Sequence, residues 1–357
     1  MINLEVLGNC EVQIAGARLK PLLENVNVRY HPVTYEMAGP KGIKRVYLRR
    51  KAWKNIQNVE KDSIWLYSQP PTIMNRVLIG LAKNNKTILD CRDIYQEWNY
   101  HPRFKRLVEI WEQKTTMKAV DLITYAHVGF RSFLEQDVNN SQKLKFVSNG
   151  FDGEIFHYND SGERLGNPAF VYCGSIGSVN NILFLLKIIR RIQRLNPKAH
   201  FTFVGTGISA KKVIAYIRSG VVNNITLETQ WVPQERLAHI YNRTDYALSS
   251  VAPAIGVYYN ICIPNKIFEA LGCGVPIVAF NGEAVREFLS NYSMCKVYDV
   301  QKQTIDEISF DMAHLPPVPT NEKKWNSALA IGSKSYYILR QQFEKLLYNL
   351  AKGDLNA

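Results

Sequence analysis

The sequence alternates short apolar segments with longer amphipathic ones through most of its 357 residues. Two examples are residues 170–173 (F-V-Y-C) and 275–280 (V-P-I-V-A-F), which read as buried strands. Strands that alternate with helices pair in parallel through right-handed crossovers, and the helices cover both faces of the sheet. The alternation therefore predicts an α/β fold built from doubly wound parallel sheets.

One polar, glycine-rich stretch, residues 149–167, interrupts the alternation, which then restarts. This composition is typical of an interdomain linker. We therefore expect two Rossmann-like domains, residues 1–150 and 151–333, that face each other across a cleft. Residues 334–357 are expected to form a last helix that packs back toward the first domain. Ligands of open α/β sheets bind outside the carboxyl ends of the strands, so the expected site is the cleft.

The net charge of +13 is uneven, because residues 1–150 carry +9 and the remainder carries +4. The excess is concentrated in two stretches. The stretch from Lys41 to Lys54 contains seven cations and no acid, and the second runs from Tyr100 to Lys118. Aromatic residues interrupt both stretches, a pattern that suits an anionic membrane surface. Nucleic acid and an ordinary solvated face are the alternatives, although no nucleic-acid fold signature accompanies the charge.

The six cysteines form no C-x-x-C pair and lie mostly in apolar segments. This predicts buried free thiols and a reducing compartment. Met1 leads directly into a strand that contains Glu5, unlike a signal peptide, and no uncharged run free of Pro and Gly is long enough for a transmembrane helix. We expect a cytoplasmic protein, soluble or peripheral on the inner face of the membrane. No pattern predicts a metal cofactor.

Residues 264–280 (P-N-K-I-F-E-A-L-G-C-G-V-P-I-V-A-F) carry the clearest binding signal. Pro264 suits a first helical turn, and Lys266 and Glu269 share one face of the helix that follows. A helix N-terminus beside a lysine suits an anionic group, and a carboxylate one turn later suits sugar hydroxyls. Together they fit a nucleotide-sugar. A surface helix with an ion pair is the alternative interpretation.

Three further strand–helix turns in the second half carry related chemistry. Gly174, Ser175 and Ile176 follow one strand, and Gly205 and Thr206 follow the next, so that backbone N–H groups can approach a diphosphate. A third turn places Trp231 and Val232 where a base can lie against an apolar wall. Each turn alone is equally consistent with a purely conformational role, but four such turns in one half-chain favour a nucleotide site.

These motifs, in this order, resemble the nucleotide-sugar domain of the GT-B glycosyltransferases, specifically the retaining group called family 4. The resemblance is strongest over residues 170–280, and S-N-G-F-D at residues 148–152 is similar to the family's domain junction. It implies sugar transfer from a UDP- or GDP-type donor to a saccharide or lipid-linked acceptor in cell-surface polysaccharide biosynthesis. Glu269 matches the glutamate that binds the donor ribose, and Asn265 and Lys266 face the diphosphate or the sugar.

The resemblance also implies how the transfer proceeds. Lys266 and the helix N-termini stabilise the departing diphosphate, whose oxygen takes the acceptor's proton. Asp93, at the end of a strand in the first half, orients the acceptor hydroxyl or takes that proton. An N-cap or an ion pair with Arg92 is the alternative for Asp93.

Two departures from the family pattern keep other functions open. The paired glutamate expected eight residues before Glu269 is Ile261, and the usual Arg and Lys after the G-S-I-G turn are missing, with Asn180 and Asn181 nearby. A catalytically silent GT-B binding or scaffold subunit is therefore one alternative, and a nucleotide-sugar epimerase is another.

Overall fold

The computed structural model describes residues 3–8, 21–32, 50, 52–54, 56, 63–68, 74–92, 94, 103–160, 163–280 and 282–354. The chain divides into two compact units. One comprises the residues up to Asn149 together with the segment from Tyr336 onward, and the other spans Gly150–Ser335. The sequence predicted these divisions after residues 150 and 333.

Both units contain alternating strands and helices, numbered here in chain order. The strands are β1 (Asn3–Gly8), β2 (Asn27–Pro32), β3 (Ile64–Ser68), β4 (Lys86–Cys91), β5 (Leu122–Tyr125), β6 (Leu144–Phe146), β7 (Ala169–Cys173), β8 (His200–Val204), β9 (Ile225–Glu228), β10 (Tyr246–Ser250), β11 (Ile277–Phe280) and β12 (Lys296–Val297). The helices are α1 (Asn75–Leu81), α2 (Arg103–Ala119), α3 (Arg131–Leu134), α4 (Ile182–Leu195), α5 (Ala210–Arg218), α6 (Gln234–Asn242), α7 (Tyr258–Ile261), α8 (Asn265–Gly272), α9 (Glu283–Leu289), α10 (Ile305–Ala313), α11 (Thr320–Lys334) and α12 (Tyr336–Lys352).

The first unit has a parallel sheet of six strands in the order β2-β1-β3-β4-β5-β6. Its core includes Leu4, Val6 and Leu66 of the sheet and Leu339 and Phe343 of α12. The last helix is therefore part of the core of this unit. The Arg340 guanidinium fixes it further by donating to the Pro21 carbonyl at 2.9 Å and by pairing with Glu24.

The second unit has a parallel sheet of six strands in the order β12-β11-β10-β7-β8-β9. Successive side chains of a strand point to opposite faces, and β7 shows this clearly. Phe170 and Tyr172 lie in one core with α4 and α10, whereas Val171 and Cys173 lie in the other with α6 and α8. Because both faces are covered, β7 and β11 are apolar throughout, as expected of a doubly wound sheet.

Two sequence-based interpretations are wrong. Residues 149–167 do not form a linker, because Phe151 and Phe156 are buried in the core of the second unit, where Phe151 packs against Gly272. The apolar patterning also predicted no helix between residues 313 and 333, whereas the structure has α11 at Thr320–Lys334. The buried face of α11 is formed by Lys323, Asn326, Ser327 and Ala330, a helical spacing carried mainly by polar residues.

Candidate functional site

The carboxyl ends of β7 and β8 carry two glycine turns in direct backbone contact. The Gly174 N–H donates to Val204 O at 2.9 Å, and the Ile176 N–H donates to Thr206 O at 2.8 Å. Gly205 has φ +150°, and a Cβ there would lie 1.9 Å from Gly174 O. Glycine is therefore required for the two turns to approach this closely.

The same hydrogen bonds decide which amides remain for a ligand. The Gly174 and Ile176 N–H groups are used within the protein, whereas the Ser175 and Gly177 N–H groups have no acceptor among the described residues. N–H groups of a turn that are not used within the protein can donate hydrogen bonds to a bound anion. The structure thus leaves alternate amides of the Gly174–Gly177 turn available, where the sequence predicted binding by the turn as a whole.

Helix α8 brings Lys266 to this turn. It begins after Pro264 without a side-chain cap and buries Ile267 and Phe268 in the core. The Lys266 Nζ lies 4.0 Å from the centre of the Tyr172 ring, and a Cβ on Gly174 would lie 3.0 Å from the same Nζ. Hence Lys266, Gly174 and Tyr172 form one cluster at the carboxyl edge of the second sheet, as the sequence predicted for Lys266 and Gly174.

The Lys266 ammonium is buried and has no hydrogen-bond acceptor within the described part of the chain. Burial lowers the pKa of Lys266 to about 8, and it raises the pKa of Glu269 to about 7. Each of the two side chains partly opposes the effect of burial on the other, because an opposite charge favours the charged form. Lys266 and Glu269 are therefore turned inward, and neither charge is fully compensated.

The remaining titratable neighbour does not supply a negative charge. Burial raises the pKa of the Cys173 thiol to about 12, and Tyr241 hydrogen-bonds to it. Glu269 offsets only part of the cost of burying the Lys266 ammonium, so the cluster around Lys266 is short of negative charge. Such an arrangement can accept an anion, and Glu269 can accept hydrogen bonds from neutral hydroxyls.

No contact within the described residues joins the remaining predicted site residues to this cluster. Trp231 is 81% exposed, makes no hydrogen bond or ring contact with the described residues, and is followed by the half-buried Val232. Asn265 is the first residue of α8, and Asp93 lies outside the described residues.

Two contributors, Tyr172 and Asn180, were missed from the sequence. Tyr172 resembles an ordinary core residue in an apolar strand. Asn180 was noted only for what it replaces, although its Nδ2 donates to Ser175 O at 2.9 Å.

Comparison with known proteins bears directly on this unit. The family model described as glycosyl transferases group 1 matches residues 167–308, which include both glycine turns, Lys266 and Glu269. This segment is therefore similar to the group 1 glycosyltransferases. The comparison with curated proteins by sequence finds no match.

Solved structures show a likeness in fold over nearly the whole chain. Sucrose-phosphate synthase from Thermosynechococcus elongatus has a TM-score of 0.77 at 11% identity, over 99% of this chain and 100% of that one. HepE from Anabaena, solved with UDP and glucose, has a TM-score of 0.69 at 13% identity, over 98% and 100%. The catalytic domain of starch synthase IV from Arabidopsis thaliana, bound to ADP and acarbose, has a TM-score of 0.68 at 10% identity, over 99% of both chains. The chain therefore has the GT-B fold of two parallel six-stranded sheets with helices.

The described residues contain neither a membrane-spanning helix nor a cluster of metal-binding side chains. No helix is both long enough and apolar enough to cross a membrane. No group of three or more His, Cys, Asp or Glu side chains there is arranged to hold a metal ion.

Proposed function

We propose that this chain transfers a sugar from a UDP- or GDP-type donor to a saccharide or lipid-linked saccharide, with retention, in cell-surface polysaccharide synthesis. The observation that carries the proposal is the buried Lys266 ammonium, which has no acceptor among the described residues and lies against the Gly174 turn. A diphosphate at this position supplies the missing negative charge. The unused Ser175 and Gly177 N–H groups donate to the same anion.

The other donor contacts follow from the geometry around Lys266. Glu269, one turn further along α8, accepts hydrogen bonds from the ribose hydroxyls of the donor, and Asn265 lies at the start of the same helix. Gly205 and Thr206 support the diphosphate turn from the neighbouring strand. Names of similar structures agree with this donor class, since HepE was solved with UDP and glucose and starch synthase IV with ADP.

In the transfer, the bond from the anomeric carbon to the diphosphate oxygen breaks. A bond from the acceptor oxygen to the same carbon forms on the same face of the sugar. The acceptor's proton passes to the departing phosphate oxygen. Lys266 stabilises the negative charge that develops on this leaving group, an electrostatic role of the kind that dominates many enzymes. We assign to Asp93 the orientation of the acceptor hydroxyl.

We further propose that the first unit meets an anionic membrane surface, where lipid-linked acceptors reside. Its helix α2 exposes Leu107 (65%) and Trp111 (53%), which are one helical turn apart. Arg76 lies 5.0 Å from the centre of the Trp111 ring, so the exposed aromatic is flanked by a cation. Most of the other basic stretch, from Lys41 to Lys54, lies outside the described residues.

The test of the donor site compares Lys266→Met and Glu269→Gln with Lys302→Met, which removes an exposed lysine of the same unit. Wild type and Lys302→Met should bind UDP or GDP in calorimetry and hydrolyse a matching nucleotide-sugar. We expect Lys266→Met and Glu269→Gln to lose about 10²–10³-fold in kcat/KM, the usual effect of removing one preorganised group. Nucleotide binding by Lys266→Met that equals wild type would contradict the proposal.

Ile261, at the position of the usual paired glutamate, favours a silent binding subunit as the second candidate. The two functions separate in the same experiment. Nucleotide binding that depends on Lys266, without turnover of any donor in a panel of nucleotide-sugars and acceptors, supports the binding subunit. Turnover of one donor supports the transferase.

A further inference from the structure

We propose that Tyr172 is a positioning residue that holds the Lys266 ammonium and the Gly174–Gly177 turn in register with each other. The inference rests on the proposed function, because the register matters for a diphosphate that touches both groups. Tyr172 is the last residue but one of β7, is fully buried, and contacts both components.

The first contact is between the Tyr172 ring and Lys266. The Nζ lies 4.0 Å from the ring centre and has no hydrogen-bond acceptor in the described chain. A cation over an aromatic face is attracted by the ring quadrupole, and the attraction strengthens when water is excluded. The ring therefore supports the charged form of Lys266 without supplying a hydrogen-bond acceptor. The N–H donors that point away from the ring remain available for phosphate oxygens.

The second contact is between the Tyr172 hydroxyl and the turn. The hydroxyl donates to Ser175 O at 2.7 Å, and Asn180 Nδ2 donates to the same oxygen at 2.9 Å. These two bonds fix the orientation of the Ser175–Ile176 peptide, next to which the Ser175 and Gly177 N–H groups are unused. One side chain thus sets both the position of the cation and the orientation of the amides.

The packing around Tyr172 prevents the ring from adapting to a displaced ammonium. Its centroid lies 5.6 Å from that of Phe203, in the core formed with α4 and α10. Gly174 completes the arrangement, because a Cβ there would lie 3.2 Å from Lys266 Cε and 3.7 Å from the Tyr172 hydroxyl. A side chain at residue 174 would crowd the lysine that Tyr172 holds.

The experiment separates the two contacts. Tyr172→Phe keeps the ring and loses the bond to Ser175 O, whereas Tyr172→Leu loses both. The matched control is Tyr246→Phe, because Tyr246 is equally buried and its hydroxyl donates to Pro316 O, also at 2.7 Å, at the opposite edge of the sheet. UDP is the probe, and its dissociation constant is measured by calorimetry from pH 7.5 to 9.5.

We expect the dissociation constant for UDP to rise about tenfold in Tyr172→Phe and about a hundredfold in Tyr172→Leu. The control should bind as wild type does. In Tyr172→Leu the pH at which binding begins to weaken should move downward, because the charged form of Lys266 has lost its support. A merely structural role would lower the unfolding midpoint of Tyr172→Leu without moving this pH. That result, or wild-type affinity in Tyr172→Leu, would overturn the inference.

A separate measurement keeps this inference distinct from the proposed function. In ¹³C-lysine-labelled protein without nucleotide, the titration of the Lys266 ε-carbon is followed by NMR in wild type and Tyr172→Phe, with Tyr172→Leu added if it folds. The pKa of Lys266 should stay within a few tenths of a unit in Tyr172→Phe and fall in Tyr172→Leu. If wild type binds no nucleoside diphosphate, the donor assignment fails and this titration alone decides the contact. An unchanged pKa of Lys266 in Tyr172→Leu, or a fall in Tyr172→Phe as large as the fall in Tyr172→Leu, would refute the inference.

Discussion

The two edges of the second sheet bury lysines in opposite ways. At the edge where β7 and β10 begin, the Nζ of the buried Lys323 donates to Thr244 O at 2.6 Å. At the edge where the strands end, the Lys266 Nζ is equally removed from water and has no acceptor among the described residues. Burial lowers the pKa of both lysines. The difference teaches that burial alone does not mark a site, whereas a buried charge left without a partner does.

Asp245 also lies at the edge where β7 and β10 begin, which is called the beginning edge below, and its charge is fully paired there. This carboxylate is fully buried, accepts from Ala169 N at 2.9 Å and from Val318 N at 3.2 Å, and pairs with Arg164 at 3.3 Å. All of its partners are internal to the unit. Ligands of parallel sheets bind at the carboxyl ends of the strands. The charged groups at the beginning edge therefore stabilise the fold and are not needed for binding a ligand.

The largest effect that sharpens this comparison is expected from Asp245→Ala. The substitution leaves two buried N–H groups without their acceptor and removes the counter-ion of Arg164, which keeps its bond to Val318 O. We expect this to cost about 3–5 kcal/mol of unfolding free energy. Urea denaturation measures this loss, and UDP binding by the folded protein should persist. The control is Asp306→Ala, which removes an exposed partner of Arg191 and should cost less than about 1 kcal/mol. Equal losses in the two variants would show that the charge of Asp245 is not paired as described.

A smaller effect is expected from Gly205→Ala, which acts on the carboxyl edge. The added Cβ meets Gly174 O at 1.9 Å, at φ +150°, so the two turns must separate. We expect a loss of roughly 2–3 kcal/mol in stability together with weakened UDP binding. The control, Gly220→Ala, also has positive φ (+72°) but nothing within 4 Å of the new Cβ. It should cost about 1–2 kcal/mol and leave UDP binding unchanged. Full UDP affinity in Gly205→Ala would separate the turns from the site.

Much of the fold followed from the alternation of apolar and amphipathic segments, because strands such as β3, β7 and β11 are buried and mainly apolar. The helix α11 did not follow, since its buried positions hold Lys323, Asn326 and Ser327. Each makes specific hydrogen bonds, for example Ser327 Oγ to Gly272 O at 2.6 Å. Patterns of hydrophobicity cannot detect a helix whose buried face is polar.

The residues of the candidate site that lie in local sequence motifs could be predicted, whereas those that depend on the packing of distant segments could not. Glycine turns and the Lys266–Glu269 spacing are local signals that sequence reasoning can detect. The position of Tyr172 beneath the ammonium depends on how β7 and α8 pack, which involves residues 94 positions apart in the chain. No local pattern distinguishes Tyr172 from a core tyrosine such as Tyr246, so only the structure shows that Tyr172 contacts both Lys266 and the Gly174–Gly177 turn.

The smallest effect is a dependence of nucleotide binding on pH. It should come from Lys266 at the carboxyl edge and not from the charged groups at the edge where the strands begin. The pKa of Lys266 in the free protein is about 8, below its unfolded value of about 10.4, because burial disfavours the ammonium. Above pH 8 the lysine must gain a proton before it can pair with a diphosphate. UDP affinity should therefore fall up to tenfold per pH unit, about 1.4 kcal/mol. Between about pH 8 and 10.4 the unfolded state binds more protons, so Lys266 makes the free protein more stable as the pH rises. Lys266→Met should lose the pH dependence of UDP binding and the share of the stability change that is due to Lys266, as calorimetry and urea denaturation from pH 7.5 to 9.5 can measure, whereas Lys323 keeps its own share. If UDP affinity in wild type stays constant over this range, the lysine at the carboxyl edge is not the group that meets the phosphate.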